Sequence, residues 1–221
     1  MLDDATTLNP RLRDSAVLDD LRNAWAAGRR IRITELMAPG LAERFADAAL
    51  NGSWSFFEKH VNEVHCVAWS QVHRYPEAGE TSDFAVMPEA MQLFMRDIPA
   101  LASAVTGQAL HRVADEGLAI HWYTKGSYLD VHTDQGADRL VAYVLGLTRE
   151  SWPAERGGHL EFLEPDERTV IDRIAPGFDT LDLFTIYPLT RPHRIPILQD
   201  HVVRLSVNGW LTGEPRDPRE A

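Results

Sequence analysis

Cysteine is almost missing from this chain, which has one, Cys66, among its 221 residues. No internal disulfide can form, and a reducing, cytoplasmic setting is the natural expectation. Cys66 sits in the apolar run 64–69, where a small buried hydrophobe is expected rather than a nucleophile. Long hydrophobic runs are missing as well, so neither a membrane-spanning helix nor a membrane partner is expected. The N-terminus has no basic start followed by an apolar block, and no signal peptide is expected. Positive charge is in deficit: 22 Lys and Arg against 33 Asp and Glu give a net charge of −11. That balance argues against nucleic acid as the main partner. Arg29, Arg30 and Arg32 form the densest basic group, which reads as a solvated helix end. There is no internal repeat and no low-complexity segment.

What is present is ordinary for one globular domain, with 44% hydrophobic and 25% charged residues. Apolar residues Val17, Leu18, Leu21 and Trp25 recur at helical spacing, with Ser15 as the expected cap. A short strand is expected around Ile31 and Ile33. A second helix starts at Pro39, runs through Leu41 and Phe45, and is ended by Asn51-Gly52. Strands are expected over 54–57 and 64–69, a loop or lid over 74–90, and helices after Pro88 and Pro99. From residue 118 the texture changes to short strands separated by turns: 118–123, 128–134, 139–147, 159–163, 169–174, 180–184, 193–198 and 202–211. Eight strands after a helical beginning predict an all-β core with flanking helices, a double-stranded β-helix of the jelly-roll, cupin-like kind. The expected organisation is a support region 1–117, a core 118–211 and a frayed tail 212–221.

The chemistry converges on two stretches of that core. His132 and Asp134 stand two apart on an expected strand and so share a face. His193 comes after 58 intervening residues, a separation that suits the first and last strands of a jelly roll becoming neighbours. Two imidazoles and a carboxylate make the facial triad that holds non-haem Fe(II) and leaves coordination positions open. Eleven residues beyond His193 comes Arg204, which shares a strand face with Ser206 and Asn208 while Leu205, Val207 and Leu211 take the other. A polar face on so apolar a strand predicts a lined cavity. A buried guanidinium needs an anion and fits a carboxylate bidentately, so Arg204 is the expected anchor of a dicarboxylate co-substrate. Tyr123 and Ser206 are candidates to donate further hydrogen bonds to the same carboxylate. Among the other histidines, His60 and His65 are five apart, wrong for one face, and His111, His121, His159 and His201 have no acidic partner at ligand spacing. Core or supporting roles are expected for His121 and His159.

In these motifs the chain resembles the 2-oxoglutarate- and Fe(II)-dependent oxygenases, specifically the prolyl-4-hydroxylase-like branch. Tyr123-x-x-Gly126 ahead of His132-x-Asp134 resembles that branch's lead-in to its metal motif. Arg139 to Leu147, then Trp152 and Gly157-Gly158, resembles the stretch after the metal motif, and Asp179, Arg191-Pro192-His193 and Arg204 resemble the closing strands. The resemblance implies a single oxygenase domain in which His132, Asp134 and His193 bind iron. Arg204 would pair with the distal carboxylate of 2-oxoglutarate, with Tyr123 assisting. It implies oxidation of 2-oxoglutarate by O2 to succinate and carbon dioxide with hydroxylation of an unactivated C–H bond, ascorbate serving as an accessory reductant. The carboxylate of Asp134 favours hydroxylation over halogenation, and the stretch just after Arg204, Ser206 to Trp210, carries no second arginine, which disfavours nucleic-acid demethylation. Gly146 and Asp179 stand where many relatives carry asparagine. A prolyl or similar residue of a peptide or protein is the expected substrate, with Arg139, Tyr128 and the 74–90 loop as candidate contacts. The alternatives are the same chemistry on a free amino acid or small natural-product intermediate, a non-catalytic cupin-like module that binds metal or carboxylate, and a metal-dependent isomerase.

Overall fold

The computed structural model describes residues 6–61, 64–112, 117–136, 138–186 and 191–213. The expected tail falls outside these residues, apart from its first two positions. No helix among the described residues is long and apolar enough to cross a membrane.

The N-terminal half supplies helices α1 (Ser15–Gly28), α2 (Leu41–Leu50), α3 (Met87–Gln92) and α4 (Ile98–Thr106). The cap of α1 is Asp14, not Ser15: the Asp14 carboxylate accepts from the Ala16 amide at 2.8 Å. In α2 the apolar stripe Leu41, Ala42, Phe45, Ala46 and Ala49 is buried. A π-helical turn, Leu93–Asp97, joins α3 to α4. The strands are β1 (Arg30–Thr34), β2 (Ser55–Val61), β3 (Val64–His73), β4 (His111–Arg112), β5 (Leu118–Tyr123), β6 (Tyr128–His132), β7 (Arg139–Leu147), β8 (Leu160–Leu163), β9 (Val170–Ile174), β10 (Phe178–Thr185), β11 (His193–Ile195) and β12 (Arg204–Thr212).

All the pairings are antiparallel, and they resolve the last eight strands into the two facing halves of the expected jelly roll. One half runs β5, β12, β7, β10; the other runs β6, β11, β8, β9. β1 extends the first half beyond β10, and β3 pairs with both β5 and β6, bridging the halves. The early strands are therefore part of the sheet, not only a layer behind it. The main core lies between the helices and the outer face of the first half, centred on residues such as Phe45, Phe94, Leu101, Ile120, Leu145 and Leu183. A smaller cluster of Ala142, Leu160, Phe162, Phe184 and Ile186 fills the barrel itself.

Two positions explain departures from the family pattern. A Cβ on Gly146 would stand 2.5 Å from the Gly177 carbonyl oxygen and 2.5 Å from Thr180 Oγ1, so no side chain fits there. Asp179 has φ +52° and accepts from the Met37 amide at 2.9 Å, a left-handed position at the register shift in β10 that Asp tolerates nearly as well as Asn. The 74–90 segment is anchored at its C-terminal end, while 77–81 is exposed. Phe84, Val86 and Met87 bury in the main core, because three large apolar residues gain more from the core than from water.

Asp97 ties the N-terminal segment to α4. Its buried carboxylate accepts from Thr7 N at 2.7 Å, Thr7 Oγ1 at 2.8 Å and Arg96 Nε at 3.1 Å. Burial alone would raise its pKa, but the Thr7 amide, the Thr6 and Thr7 hydroxyls and Arg96 together hold it below the usual value. A depressed carboxylate contributes stability above its unfolded pKa of about 4 and loses it as pH falls through the folded value. Asp97→Asn is expected to cost about 1–3 kcal/mol at neutral pH. Urea unfolding at pH 7 and pH 3 should show that cost shrinking at the lower pH.

Candidate metal and co-substrate centre

Register brings the distant histidines together. His193 on β11 lies directly opposite His132 on β6, and the next pair, Ile195 with Leu129, is displaced by a bulge. β6 ends at His132, so Asp134 lies just beyond the strand, yet its carboxylate still meets both rings. Asp134 Oδ1 is 3.6 Å from His132 Nε2, and Oδ2 is 3.3 Å from His193 Nε2. One ligand atom from each of the three residues lies within 4.8 Å of the others, so the set can hold a metal ion.

The backbone chooses which imidazole nitrogen faces that point. His132 Nδ1 is 2.9 Å from the Asp130 carbonyl oxygen and His193 Nδ1 is 3.1 Å from that of Arg191. A carbonyl only accepts, so each Nδ1 carries a proton and each Nε2 is the nitrogen turned inward, the one that would ligate a metal ion in place of any proton it shares with Asp134. Phe162 and Phe184 pack on the His193 ring with centroids 5.8 and 5.3 Å away. Burial would raise the Asp134 pKa, but the hydrogen bonds and charges of His132 and His193 hold it well below the carboxylate range. Burial pulls the other way on His132, and Asp134 outweighs it, so that ring is raised.

The three residues line a cavity of about 770 Å³ that also contains Tyr123, Arg204 and Ser206. Arg204 lies opposite Tyr123 across the β12–β5 pair, and Ser206 lies opposite His121. Arg204 is 4% exposed, donates from Nη1 to Ser206 Oγ at 3.1 Å, and stacks over the Tyr123 ring at 4.9 Å. Its Nε is buried with no hydrogen-bond partner. Asp182, the nearby buried carboxylate, is already held bidentately by Arg32 at 2.7 Å for each bond. Among the described residues no carboxylate forms a salt bridge with Arg204. Burial pushes the Tyr123 phenol far above its usual pKa, so it stays a donor. A buried cation with an orphaned N–H and neutral donors around it fits a carboxylate from outside the chain.

Other expected residues divide. Arg139 lines the cavity, its guanidinium 3.6 Å from the Trp210 ring centroid. Tyr128 does not line it; its hydroxyl is 2.6 Å from His65 Nδ1 on β3. No residue of the 74–90 loop lines it either, although Tyr75 lines a smaller side pocket of about 230 Å³. His60 and His65 stack face to face at 3.8 Å, because the β2–β3 hairpin sets them directly opposite each other, a juxtaposition that in-strand spacing does not reveal. His159 is buried behind the cavity against the Gly157 carbonyl at 3.1 Å. His121, by contrast, lines the cavity beside Arg204.

A double-stranded β-helix with a two-histidine, one-carboxylate cluster and a buried arginine in one cavity defines the class. Residues 118–212 match the 2OG-Fe(II) oxygenase superfamily. The chain is also similar in sequence to prolyl hydroxylases. It is 28% identical over 126 residues to mouse prolyl 3-hydroxylase OGFOD1, covering 55% of this chain and 23% of that protein. Against Drosophila melanogaster prolyl 3-hydroxylase sudestada1 the identity is 27% over 171 residues, 70% of this chain and 31% of that one. The chain thus spans less than a third of these relatives' lengths. In structure it resembles a prolyl hydroxylase from Trichoplax adhaerens, solved with a hypoxia-inducible-factor peptide fragment. That likeness has a TM-score of 0.64 at 17% identity and covers 92% of this chain and 96% of that one.

Adding Mn(II) to the purified chain is expected to raise its Tm, because a ligand that binds only the folded state stabilises it. His193→Ala should abolish that rise, measured by scanning calorimetry with and without metal.

Proposed function

We propose that this chain is an Fe(II)- and 2-oxoglutarate-dependent hydroxylase acting on a prolyl residue of a peptide or protein. The observation that carries the reading is the buried Arg204, without a carboxylate partner among the described residues, in the same cavity as the His132, Asp134 and His193 cluster. His132, Asp134 and His193 would hold the iron, and Arg204, Ser206 and Tyr123 the distal carboxylate of 2-oxoglutarate. When bound, Fe(II) with O2 and 2-oxoglutarate supplies the oxidising power, one oxygen atom going to the C–H bond and the other to succinate, with loss of carbon dioxide.

The residues of the chain position and insulate. The Nδ1 contacts to backbone carbonyls fix both rings, so the ligand set is preorganised before metal arrives. Val144, Leu160, Phe184 and Ile195 line the cavity with apolar surface, which keeps water from the reacting groups and strengthens the electrostatics of Arg204. Lys59, Thr133, Gln135 and Asn208 are exposed lining residues and form a broad polar mouth suited to a polypeptide. Arg139, braced on Trp210, is the favoured substrate contact at that mouth. The sequence relatives are prolyl 3-hydroxylases, which favours oxidation at the ring's C3 position. The whole chain is read as one catalytic unit, because β1 and β3 pair within the same sheet as the site.

The test is succinate formation from 2-oxoglutarate under air with Fe(II) and ascorbate, with and without proline-containing peptides, read also by peptide mass and hydroxyproline isomer. Peptide-stimulated turnover with a gain of one oxygen atom in peptide mass is expected, and His132→Ala should abolish it. Arg204→Met is expected to raise the KM for 2-oxoglutarate at least about a hundredfold, since it leaves the ligand's carboxylate buried and unpaired. Stimulation by free amino acids but by no peptide would move the reading to a small-molecule hydroxylase. Absence of both turnover and 2-oxoglutarate binding would sink it.

A further inference from the structure

The polar patch around Arg204 has a fourth corner. Tyr123 and His121 stand two apart on β5, and Arg204 and Ser206 face them directly on β12, so the four side chains form a two-by-two square on the cavity wall. Arg204 and Ser206 bond each other, and Tyr123 lies under the guanidinium. His121 alone is unexplained. Its Nδ1 is buried with no hydrogen-bond partner, while the ring borders the cavity and meets Phe57 edge-on at 6.4 Å. Burial, and then the charge of Arg204, pull this imidazole down to about 4, so it is neutral at physiological pH. A neutral imidazole keeps one N–H to donate and adds no second cation beside the arginine.

We propose that His121 is a co-substrate-binding residue, donating an N–H to the distal carboxylate of 2-oxoglutarate and completing the cradle of Arg204, Ser206 and Tyr123. The inference rests on the function proposed above and adds a residue to it. A buried nitrogen without a partner, on the wall of the cavity that also holds the orphaned Arg204 Nε, is accounted for by a ligand that both residues share.

Calorimetric titration of the Mn(II)-loaded chain with 2-oxoglutarate tests it without turnover. His121→Phe keeps the aromatic shape and removes the donor; His121→Gln keeps a donor and changes the shape. The carboxylate reading expects His121→Phe to bind 2-oxoglutarate about tenfold to a hundredfold more weakly and His121→Gln to recover most of the loss, with Mn(II) affinity unchanged in both. A packing role gives the reverse order, and that result overturns the proposal. Equal binding by His121→Phe and the parent chain, with Arg204→Met still impaired, overturns it too and leaves the oxygenase reading standing. If the parent chain does not bind 2-oxoglutarate, or Arg204→Met does not weaken it, the oxygenase reading fails and this one with it. Circular dichroism of each variant separates lost binding from lost folding; should His121→Phe not fold, His121→Gln and His121→Ala carry the same comparison.

Discussion

The antiparallel register that sets His193 against His132 is the constraint on which the site depends. A slip of one residue would turn His193 to the outside of the barrel, since strand side chains alternate. The register is held from both sides. Inside, Phe162 and Phe184 wedge against the His193 ring. Outside, Glu161 of β8 accepts from Arg173 of β9 at 2.6 Å and from Arg194 of β11 at 2.9 Å, fastening three neighbouring strands with one buried carboxylate. Removing either cation would leave Glu161 buried with half its partners, a costlier state than an exposed pair would reach.

Within the cavity the two ends use charge differently. At the metal end the chain supplies one carboxylate and two neutral rings, so a divalent ion keeps about one positive charge and vacant positions. At the arginine end the chain supplies a full positive charge and surrounds it with neutral donors, Ser206, Tyr123 and His121. Each end is unbalanced alone. A dicarboxylate with a metal-chelating group at one terminus and a free carboxylate at the other satisfies both in a single molecule.

Much of this was legible in the sequence. The period-two pattern at Arg204, Ser206 and Asn208 marked a lined cavity, and the eight strands after residue 118 are those found, with some edges trimmed and others, as at β10, extended by a few residues. What the sequence concealed depends on cross-strand partners. His60 and His65 meet because a hairpin folds between them. His121 carries no acidic neighbour along the chain, and its importance appears only when β12 places Arg204 and Ser206 across from it. A polar residue sharing a strand face with Tyr123, itself a candidate for the arginine's ligand, was the available signal. The cavity lining near His132 depends on cross-strand register too: at the bulge between His132 and Leu129 it is Leu129, not Tyr128, that borders the cavity. In the 74–90 segment the composition marks the exposed polar stretch, while the burial of Phe84, Val86 and Met87 depends on the core they meet.

The bidentate grip of Arg32 on Asp182 has a bearing on truncated forms of this protein. Arg32 belongs to β1, far upstream of the jelly roll, while Asp182 and Arg204 border the same small inner space. With Arg32 in place, the carboxylate is already neutralised and the arginine's field remains directed at the cavity. Were the first strand removed, Asp182 would become the nearest counter-ion for Arg204 and would compete with any incoming anion. The amino-terminal strand is thus an electrostatic shield as well as an edge of the sheet, and a fragment starting at residue 118 would retain all the conspicuous motifs while losing the vacancy they surround.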